Sequence, residues 1–441
     1  QITDLCSDSM EPTIRPDILA FEFEGKNILA VKVEEILQNK KPCYYKPSGI
    51  KNGSYTRVGD RDDKMTDYEL YSLQSYNDHI FEDTRPTKRS SIEDLNEEEL
   101  NSYIEKVKNN KPHFSKNDFN KCLKLCEITD SNNEQVYPTL AGTMIFGQYP
   151  QSFYPQLFIA CAVIPGTELG DTGALGERFI DSKRIEGTIE EMLNDTMNFL
   201  RRNMKTSIII DSNGKRTNRT EYPIEAIREA VANALIHRDY SIQTENAYIS
   251  VNMYEDRIEI LNPGILYGTN KLEKLGTATT MEARNPTIVR ILEEKGSVIE
   301  NRHSGIPTMK REMIKYGLSE PEFYEERDSF KVIFRNFNST IIEEFCEQNS
   351  DTQSGEQSGQ QSGQQSGQQS VVIEEYKTMI LKYCMTPRTA KEISNFLGIK
   401  SRTYISSNLI KPLISADLLE YTNKKSITAK NQKYVTKTRM D

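Results

Sequence analysis

The sequence predicts a multidomain protein of the α+β class, and three observations lead to this prediction. The first 80 or so residues alternate apolar and polar side chains in short runs separated by turn residues, which is typical of strands. Residues 225–238 instead repeat apolar side chains at helical spacing. A polar repeat at 354–370 then precedes a basic end. A chain of 441 residues is expected to form about three domains.

Composition limits the kind of protein this can be. Hydrophobic residues make up 36% of the chain, which is adequate for folded cores. The longest apolar run, LFIACAVI at 157–164, is too short to span a bilayer, and no charged-then-apolar leader opens the chain. Seven cysteines scattered over this length do not form a disulfide framework. We therefore expect a soluble, cytoplasmic protein without a membrane partner.

The N-terminal region predicts a β-hairpin. The run ILAFEF at 18–23 is followed by a turn at EGKN and then by ILAVKVEEI at 28–36. Further short strands are expected in the stretch that ends at YTRVGD.

The region from 82 to 215 is interpreted as mixed helix and strand. Residues 91–110 are expected to be helical, and SFYPQLFIACAVIP at 152–165 to contain a buried strand. Cys122 and Cys126 have helical spacing without a second metal-ligand pair, so buried thiols are favoured over a zinc site. We assign no catalytic residue here.

The helix expected at 225–238 carries an unusual polar row. Glu229, Asn233 and His237 follow one another at i, i+4, i+8, so they lie on one side, nearly opposite the apolar side chains. A solvated outer face is one interpretation of such a row. A carboxylate, a carboxamide and an imidazole, however, solubilise a helix poorly compared with Lys and Glu, and they suit a hydrated Mg²⁺ and a polyphosphate. The row is therefore interpreted as a site.

The pattern E-x-x-x-N-A-x-x-H resembles the N-box of the GHKL nucleotide-binding fold. The longer string REAVANALIHRDYS at 228–241 resembles the ATPase-like module of bacterial proteins that carry a Schlafen/Alba-like domain and are described as predicted transcriptional regulators or RecG C-terminal-like ATP-binding proteins. The resemblance extends through YPTLAGTMIFGQYPQ (137–151), DRIEILNPG (256–264), residues 284–313 and a final winged-helix-like segment. It covers most of the chain.

The resemblance implies five regions. They are a Schlafen/Alba-like domain that binds nucleic acid (1–81), a connecting α/β region (82–215), a GHKL-like α/β sandwich that binds ATP (216–345), a flexible linker (346–370) and a winged helix with a β wing (371–441). Because the chain opens at Gln1 without the Glu-rich opening segment of the family, we expect the first domain to be truncated at its start. Nuclease carboxylates are therefore not assigned, and Glu34 or Glu35 would be a guess.

The resemblance also implies the roles of individual site residues. Glu229 would be the general base, Asn233 would hold Mg²⁺, and Asn262 lies where the wider superfamily has its adenine-reading Asp. ATP and Mg²⁺ are the implied cofactors. The residues expected to contact the nucleotide are Asn233, His237, Arg238, Asn262, Gly264, Arg284, Asn285, Ser304 and Gly305.

Two motifs contain fewer glycines than in the wider superfamily. Leu266 replaces the second glycine after the Asn262 strand, and the later motif is reduced to His303-Ser304-Gly305. We therefore expect slow or absent ATP turnover. His303 is interpreted as a loop residue.

Residues 267–286 are interpreted as a lid over the phosphates, with Arg284 as a charge partner. The alternative is a surface loop whose Arg284-Asn285-Pro286 caps the following helix. His237-Arg238-Asp239 has a similar alternative at the end of its own helix, where cationic side chains favour the helix dipole, and for Asp239 we prefer this structural role.

The basic end is the candidate DNA-binding surface. From 371 to 441 there are thirteen Lys and Arg against six Asp and Glu, whereas the whole chain has a net charge of −9. The linker before it, SGEQSGQQSGQQSGQQS, would span roughly 20–25 Å as a flexible coil. Apolar spacing with a break at Gly398 predicts a helix–turn–helix. The residues expected to contact DNA are Arg402, Thr403, Ser406 and Asn408 on the second helix and Lys424, Lys425, Lys430 and Lys433 on the wing. Winged helices also bind proteins.

Three functions remain open from the sequence. The first is a regulator in which the GHKL-like module senses ATP and the winged helix holds DNA. The second is a Schlafen-like nuclease that cuts RNA, including tRNA, and is gated by that module. The third is an inactive module that serves as a dimerisation scaffold. A homo-oligomer is expected by resemblance in each case, and the Alba-like region is a second candidate for binding RNA or DNA.

Overall fold

The structure is a computed structural model that describes most of the chain. The described residues are 2–58, 61–132, 135–210, 216–277, 282–298 and 305–336, and, nearer the C-terminus, 380–381, 383–385, 387–397, 409–415, 418–422 and 432–437. The chain divides into two compact units, Gln1–Asn336 and Phe337–Asp441. The predicted linker lies outside the described residues.

The first unit contains ten α-helices within its described residues. They are α1 (Ile2–Asp4), α2 (Gly49–Gly53), α3 (Asp67–Asn77), α4 (Glu97–Asn110), α5 (Phe119–Leu125), α6 (Leu140–Phe146), α7 (Ile189–Asn203), α8 (Ile224–His237), α9 (Pro286–Lys295) and α10 (Gly305–Lys315). A π-helical turn covers Leu5–Ser9, and short 3-10 turns include Glu82–Thr84, Ile92–Asp94 and Leu272–Lys274.

Sixteen strands accompany these helices in the described part of the first unit. They are β1 (Met10–Glu11), β2 (Asp17–Phe23), β3 (Lys26–Lys32), β4 (Tyr44–Tyr45), β5 (Tyr55–Val58), β6 (Arg61–Lys64), β7 (Thr129–Asn132), β8 (Gln135–Pro138), β9 (Ile159–Val163), β10 (Asp181–Ile185), β11 (Thr206–Ile210), β12 (Arg216–Thr220), β13 (Ile249–Met253), β14 (Arg257–Pro263), β15 (Glu322–Glu325) and β16 (Ser329–Arg335).

A mixed sheet of six strands organises this unit, in the order β10-β9-β13-β14-β16-β15. Strands β9 and β13 are parallel, and the other neighbours are antiparallel. Buried and half-buried residues alternate along β13 and β14, because helices cover one face of the sheet. Helix α7 contacts β9 and β10, α8 contacts β14, and α10 packs on α8. This mixed helix and sheet architecture agrees with the predicted α+β class.

The sheet extends across the boundary at 215 that the sequence predicts between two regions. Strands β9 and β10 belong to the range interpreted as a connecting region, yet β9 pairs directly with β13 of the following range, and β10 pairs with β9. Both ranges also contribute to one continuous apolar core. The sheet of the predicted ATP-binding region therefore continues into β9, which lies more than eighty residues earlier in the chain than its partner β13.

Locally encoded elements form where the sequence predicts them. The hairpin β2–β3 closes through Glu24 and Gly25, which both have positive φ, as a two-residue turn between twisted strands requires. The described part of the chain contains no helix that is both long and apolar enough to cross a membrane.

The predicted buried strand is β9, and its residues are alternately buried and half-buried. Cys122 and Cys126 are both buried beside helix α5, and burial raises the pKa of the Cys126 thiol to about 11.

The second unit has its own small core in its described residues. Strands β17 (Arg388–Thr389), β18 (Leu419–Tyr421) and β19 (Lys433–Thr436) form a three-stranded sheet in the order β17-β19-β18, beside α11 (Ala390–Leu397) and α12 (Lys411–Ser415). Ile380, Cys384, Ile393, Leu409, Ile410, Leu413 and Leu419 are its buried residues. Strands β18 and β19 pair antiparallel, and β19 begins within the stretch where the sequence predicts the wing, whereas β18 precedes it.

Candidate nucleotide site

A cavity of about 260 Å³ lies between the helix-covered face of the sheet, helices α8 and α10, and the loop that follows β14. Its wall contains most of the site residues predicted in this unit, although they come from separate parts of the chain. They are Glu229, Asn233, His237, Asn262, Gly264, Arg284 and Gly305. The cavity is therefore the place where these predicted residues meet.

Helix α8 supplies the polar row. Its opposite face packs into the core through Ala226, Ile227, Val231 and Leu235, all buried, which turns the row toward the cavity. Pro223 occupies the N-cap position. The row therefore faces a cavity and not bulk solvent, as the interpretation of these residues as a site requires.

The start of helix α10 lies against two members of this row. A Cβ atom on Gly305 would stand 2.2 Å from Oε1 of Glu229 and 3.0 Å from Nδ2 of Asn233. A Cβ atom at this position would require the Glu229 carboxylate to move. The N-terminal turn of α10 thus shares one corner of the cavity with Glu229 and Asn233, and such a turn presents N–H groups that favour anions.

His237 stands at the end of the row. Its ring borders the cavity, and the residue is exposed there. The loss of hydration beside the surrounding protein and the positive charge of Arg284 lower the pKa of His237 to about 4. The imidazole is therefore neutral at neutral pH. Because the unfolded histidine titrates near 6.5, this group reduces stability as pH falls from about 6.5 toward 4.

Asn262 lies near the end of β14. It is the polar residue in the part of the sheet that borders the cavity, which is called the floor here and is otherwise apolar. Its side chain is 8% exposed, and its Oδ1 atom is buried without a hydrogen-bond partner among the described residues. Ile260 precedes it on the same face, and Phe330 and Val332 are their cross-strand partners on β16. All four residues border the cavity.

Arg284 borders the cavity, and its charge is paired with that of Asp239. Its guanidinium donates to Oδ2 of Asp239 at 2.7 Å and to the carbonyl of Ile265 at 2.8 Å. The side chains of Arg284 and Asp239 are 10% and 2% exposed, so the ion pair is buried. Tyr68 of helix α3 also donates to Oδ2 of Asp239, at 2.7 Å. Burial alone would raise the pKa of Asp239, but Arg284 and the Tyr68 hydroxyl lower it overall. The structural role preferred for Asp239 agrees with this ion pair.

Gly264 passes close to this ion pair. Its φ is +110°, and a Cβ atom there would stand 2.6 Å from Cβ of Asp239. The glycine is therefore required by the fold as well as bordering the cavity. Leu266, which replaces the second glycine of the motif, also borders the cavity, and its N–H donates to Oε1 of Glu325 at 2.7 Å.

Arg238 differs from this group, because its side chain does not reach the described cavity wall. It is 1% exposed and donates to the carbonyls of Asp239, at 2.7 Å, and Thr244, at 3.0 Å, and also to that of Ala247. The guanidinium therefore holds the turn after α8, and the structure gives it this role in place of the predicted contact with nucleotide.

The side chain of Asn285 likewise bonds the protein backbone. It is fully buried, and its Nδ2 donates to the carbonyls of Ile236 and Arg238, both at 2.8 Å. Asn285 occupies the N-cap position of α9, with Pro286 directly after it, but its side chain forms no capping hydrogen bond. Asp83 caps α9 instead, since its Oδ2 accepts from the N–H groups of Thr287, at 2.8 Å, and Ile288, at 3.1 Å.

The predicted lid is described at 267–277 and 282–286. Residues from the N-terminal region hold it. Tyr76 of α3 packs edge-on against Tyr267, with ring centroids 5.4 Å apart, and its hydroxyl donates to Glu282 at 3.2 Å. Lys271 forms an ion pair of 2.7 Å with Glu35, which also pairs with Lys41. These two lysines lower the pKa of Glu35 to about 2.

The described wall carries more negative than positive charge. Glu229, Glu282 and Glu293 face one cation, Arg284, which is paired with Asp239. A polyphosphate that brings a bound cation would suit this described part of the wall. Among the described residues, no group of three His, Cys, Asp or Glu side chains could hold a metal by itself. A metal here would depend on a carboxamide such as that of Asn233 and on the ligand's own oxygens.

Several predicted residues cannot be placed. Ser304 and His303 lie outside the described residues, as do the DNA-binding candidates Arg402, Thr403, Ser406, Asn408, Lys424, Lys425 and Lys430. Lys433 is described and begins β19, where it pairs with Thr389 of β17. The candidates in the second unit remain predictions.

Sequence reasoning missed the residues that reach this site from a distance. Tyr68 contacts the ion pair, Tyr76 contacts the lid and Asp83 contacts helix α9. In each case 150 or more residues separate the two partners in sequence. No local pattern marks them, because their partners are set by tertiary packing alone.

Comparison with known families supports the module that surrounds the cavity. Residues 246–334 match a family described as putative ATP-dependent DNA helicase recG C-terminal. Residues 73–160 match a family described as a domain of unknown function, DUF8451. The first match supports an ATP-binding module, and it contains β14, the lid, α9 and α10. Helix α8, with its polar row, precedes the matched range.

Among solved structures, the chain is similar to the DIP2311 protein from Corynebacterium diphtheriae. The two are 16% identical, and the alignment covers 96% of this chain and 76% of that one with a TM-score of 0.43. This similarity is too low to support a fold or a function. No curated protein matches the chain.

Proposed function

We propose that the cavity binds ATP with Mg²⁺, and that the protein is a nucleotide-responsive DNA-binding regulator. The observation that carries the first part is the buried, unpartnered carboxamide of Asn262 at the end of an apolar floor. A purine base fits this arrangement, since it needs apolar contact on its faces and hydrogen bonds at its edge. The family match over 246–334 supports the same ligand.

The opposite corner of the cavity suits the phosphates. Gly305 brings the start of α10 against Glu229 and Asn233. Mg²⁺, bound through the Asn233 carboxamide, would neutralise the phosphate charge that the acidic wall cannot. Glu229 lies one helical turn before Asn233 and, when ionised, can accept a proton from a water molecule. The paired charge of Arg284 and the replacement of glycine by Leu266 favour slow turnover.

Calorimetric titration of the full chain with ATP tests this site. We expect magnesium-dependent binding in the wild type, and a loss of affinity in Asn233→Ala of roughly tenfold or more, since a metal ligand is removed. Asn252→Ala is the matched control, because Asn252 lies on the neighbouring strand β13 outside the described cavity wall. Equal magnesium-dependent affinities in wild type and Asn233→Ala would contradict the assignment of Asn233.

The contacts from helix α3 support a regulatory role. Tyr68, Tyr76 and Glu35 join the N-terminal region to the ion pair and the lid. A nucleotide that moves the lid must change these contacts, so its binding energy would reach the N-terminal region. Hydrogen exchange should show altered protection at 35–77 when ATP is added. Exchange unchanged in that range, with ATP bound, would contradict this coupling.

The second unit is proposed to bind DNA. Its support is the excess of Lys and Arg in 371–441 and the β18–β19 hairpin in the position of a wing. Deletion of 371–441 should abolish duplex binding together with its salt dependence, because released counterions follow the cationic charge. If the shortened chain binds duplex DNA as tightly as the full chain, the N-terminal region makes the contact instead.

A further inference from the structure

The carboxamide of Asn262 is free to take either of two orientations. Its Oδ1 atom is buried without a partner, and within the described part of the chain no side-chain hydrogen bond holds the amide. Its neighbours on the floor, Ile260 and Phe330, are apolar and distinguish neither end of the amide. Rotating the amide by 180° therefore exchanges a donor and an acceptor at the same place in the cavity.

This exchange matches the difference between the two purines. Adenine presents an amino donor beside the N1 acceptor, whereas guanine presents the O6 acceptor beside the N1–H donor. A carboxamide forms two hydrogen bonds with the first edge in one orientation and two with the second edge in the other. A carboxylate at this position would contain acceptors only, so it would accept from the amino group alone of adenine but from both the N1–H and the 2-amino group of guanine.

Building on the nucleotide site proposed above, we propose that the cavity takes adenine and guanine nucleotides alike. The apolar floor contacts either purine face equally. The selectivity of the site must therefore come from the edge that Asn262 reads, and this residue accepts both edges.

The test is the ratio of two affinities, measured by titrating the full chain with Mg-ATP and with Mg-GTP. In the wild type we expect the two dissociation constants to agree within about tenfold. In Asn262→Asp we expect the ratio to shift toward GTP by roughly tenfold or more, because the hydrogen bond to adenine N1 is replaced by repulsion, whereas guanine offers two donors to the carboxylate. Asn252→Asp, outside the described cavity wall, should leave the ratio at its wild-type value.

Asn262→Ala provides a second variant that does not bury a charge. It removes donor and acceptor together, so both nucleotides should weaken by similar factors and the ratio should stay near that of the wild type. A change in the ratio in Asn262→Ala would overturn the proposal.

A wild-type preference for ATP of more than about 100-fold would also overturn it, as would an Asn262→Asp ratio equal to that of the wild type. Failure of the wild type to bind either nucleotide is a different result, because it would overturn the proposed nucleotide site itself.

Discussion

Removal of Arg284 should destabilise the first unit by leaving a buried carboxylate without its counter-charge. Asp239 is 2% exposed and lies 2.7 Å from the guanidinium. Breaking a buried ion pair from one side costs about 3–5 kcal/mol. Asp239 keeps its hydrogen bonds from Tyr68 and from the N–H of Ser241, so we expect Arg284→Met to lower the free energy of unfolding by about 3 kcal/mol.

The pH dependence of this loss identifies its cause. In the wild type the pKa of Asp239 is lowered, so its contribution is present above the unfolded pKa and is lost as pH falls through the folded pKa. Without Arg284, burial raises this pKa above the unfolded value. The folded variant then binds a proton more readily than the unfolded chain, and its deficit should shrink as pH falls from 7 to 5.

Urea unfolding of the full chain, followed by far-ultraviolet circular dichroism, measures both effects. Arg290→Met is the matched control, since Arg290 pairs with Glu127 at the surface, where the side chains are 39% and 48% exposed, and should cost less than about 1 kcal/mol. The double variant Asp239→Asn/Arg284→Met should recover part of the stability, because it buries no charge. A loss below about 1 kcal/mol in Arg284→Met, or one that stays constant from pH 7 to 5, would refute the reasoning.

Three further predictions concern stability and turnover. Gly264→Ala should cost about 3 kcal/mol in urea unfolding, because the new Cβ combines a strained φ of +110° with a 2.6 Å approach to Asp239, and a loss below 1 kcal/mol would contradict this. Burial raises the pKa of Asp83 to about 6, so the contribution of this group to stability should fall as pH rises from about 4 to 6 by up to roughly 3 kcal/mol, and the difference in stability between wild type and Asp83→Asn should change by this amount over the same range. If ATP is hydrolysed, Glu229→Gln should slow turnover by roughly 10²–10⁴-fold and keep ATP affinity within a few-fold, whereas turnover at the wild-type rate would place the base elsewhere.

The periodic patterns of the sequence were sufficient for the local elements of the site. Helix α8 begins and ends within a residue of its prediction, since its apolar spacing and Pro223 act over neighbouring residues only. The hairpin β2–β3 and the end of α9 at Gly296 follow from the same kind of short-range preference. The meeting of Glu229, Asn233, Asn262 and Gly305 at one cavity agrees with the expectation from family resemblance, which carries tertiary information that periodicity does not.

Distant contacts were decided by the tertiary structure alone. Arg238 and Asn285 belong to recognisable motifs, yet both side chains bond the backbone around the end of α8. Asp83 caps a helix 204 residues away in sequence, and Tyr68 reaches the Asp239 carboxylate across 171 residues. Such pairs leave no periodic trace, because each residue meets its partner only after the sheet and helices have packed. The sequence by itself therefore determined which residues share a helix face or a turn. The packing of these elements decided which polar side chains face the cavity and which form hydrogen bonds within the protein.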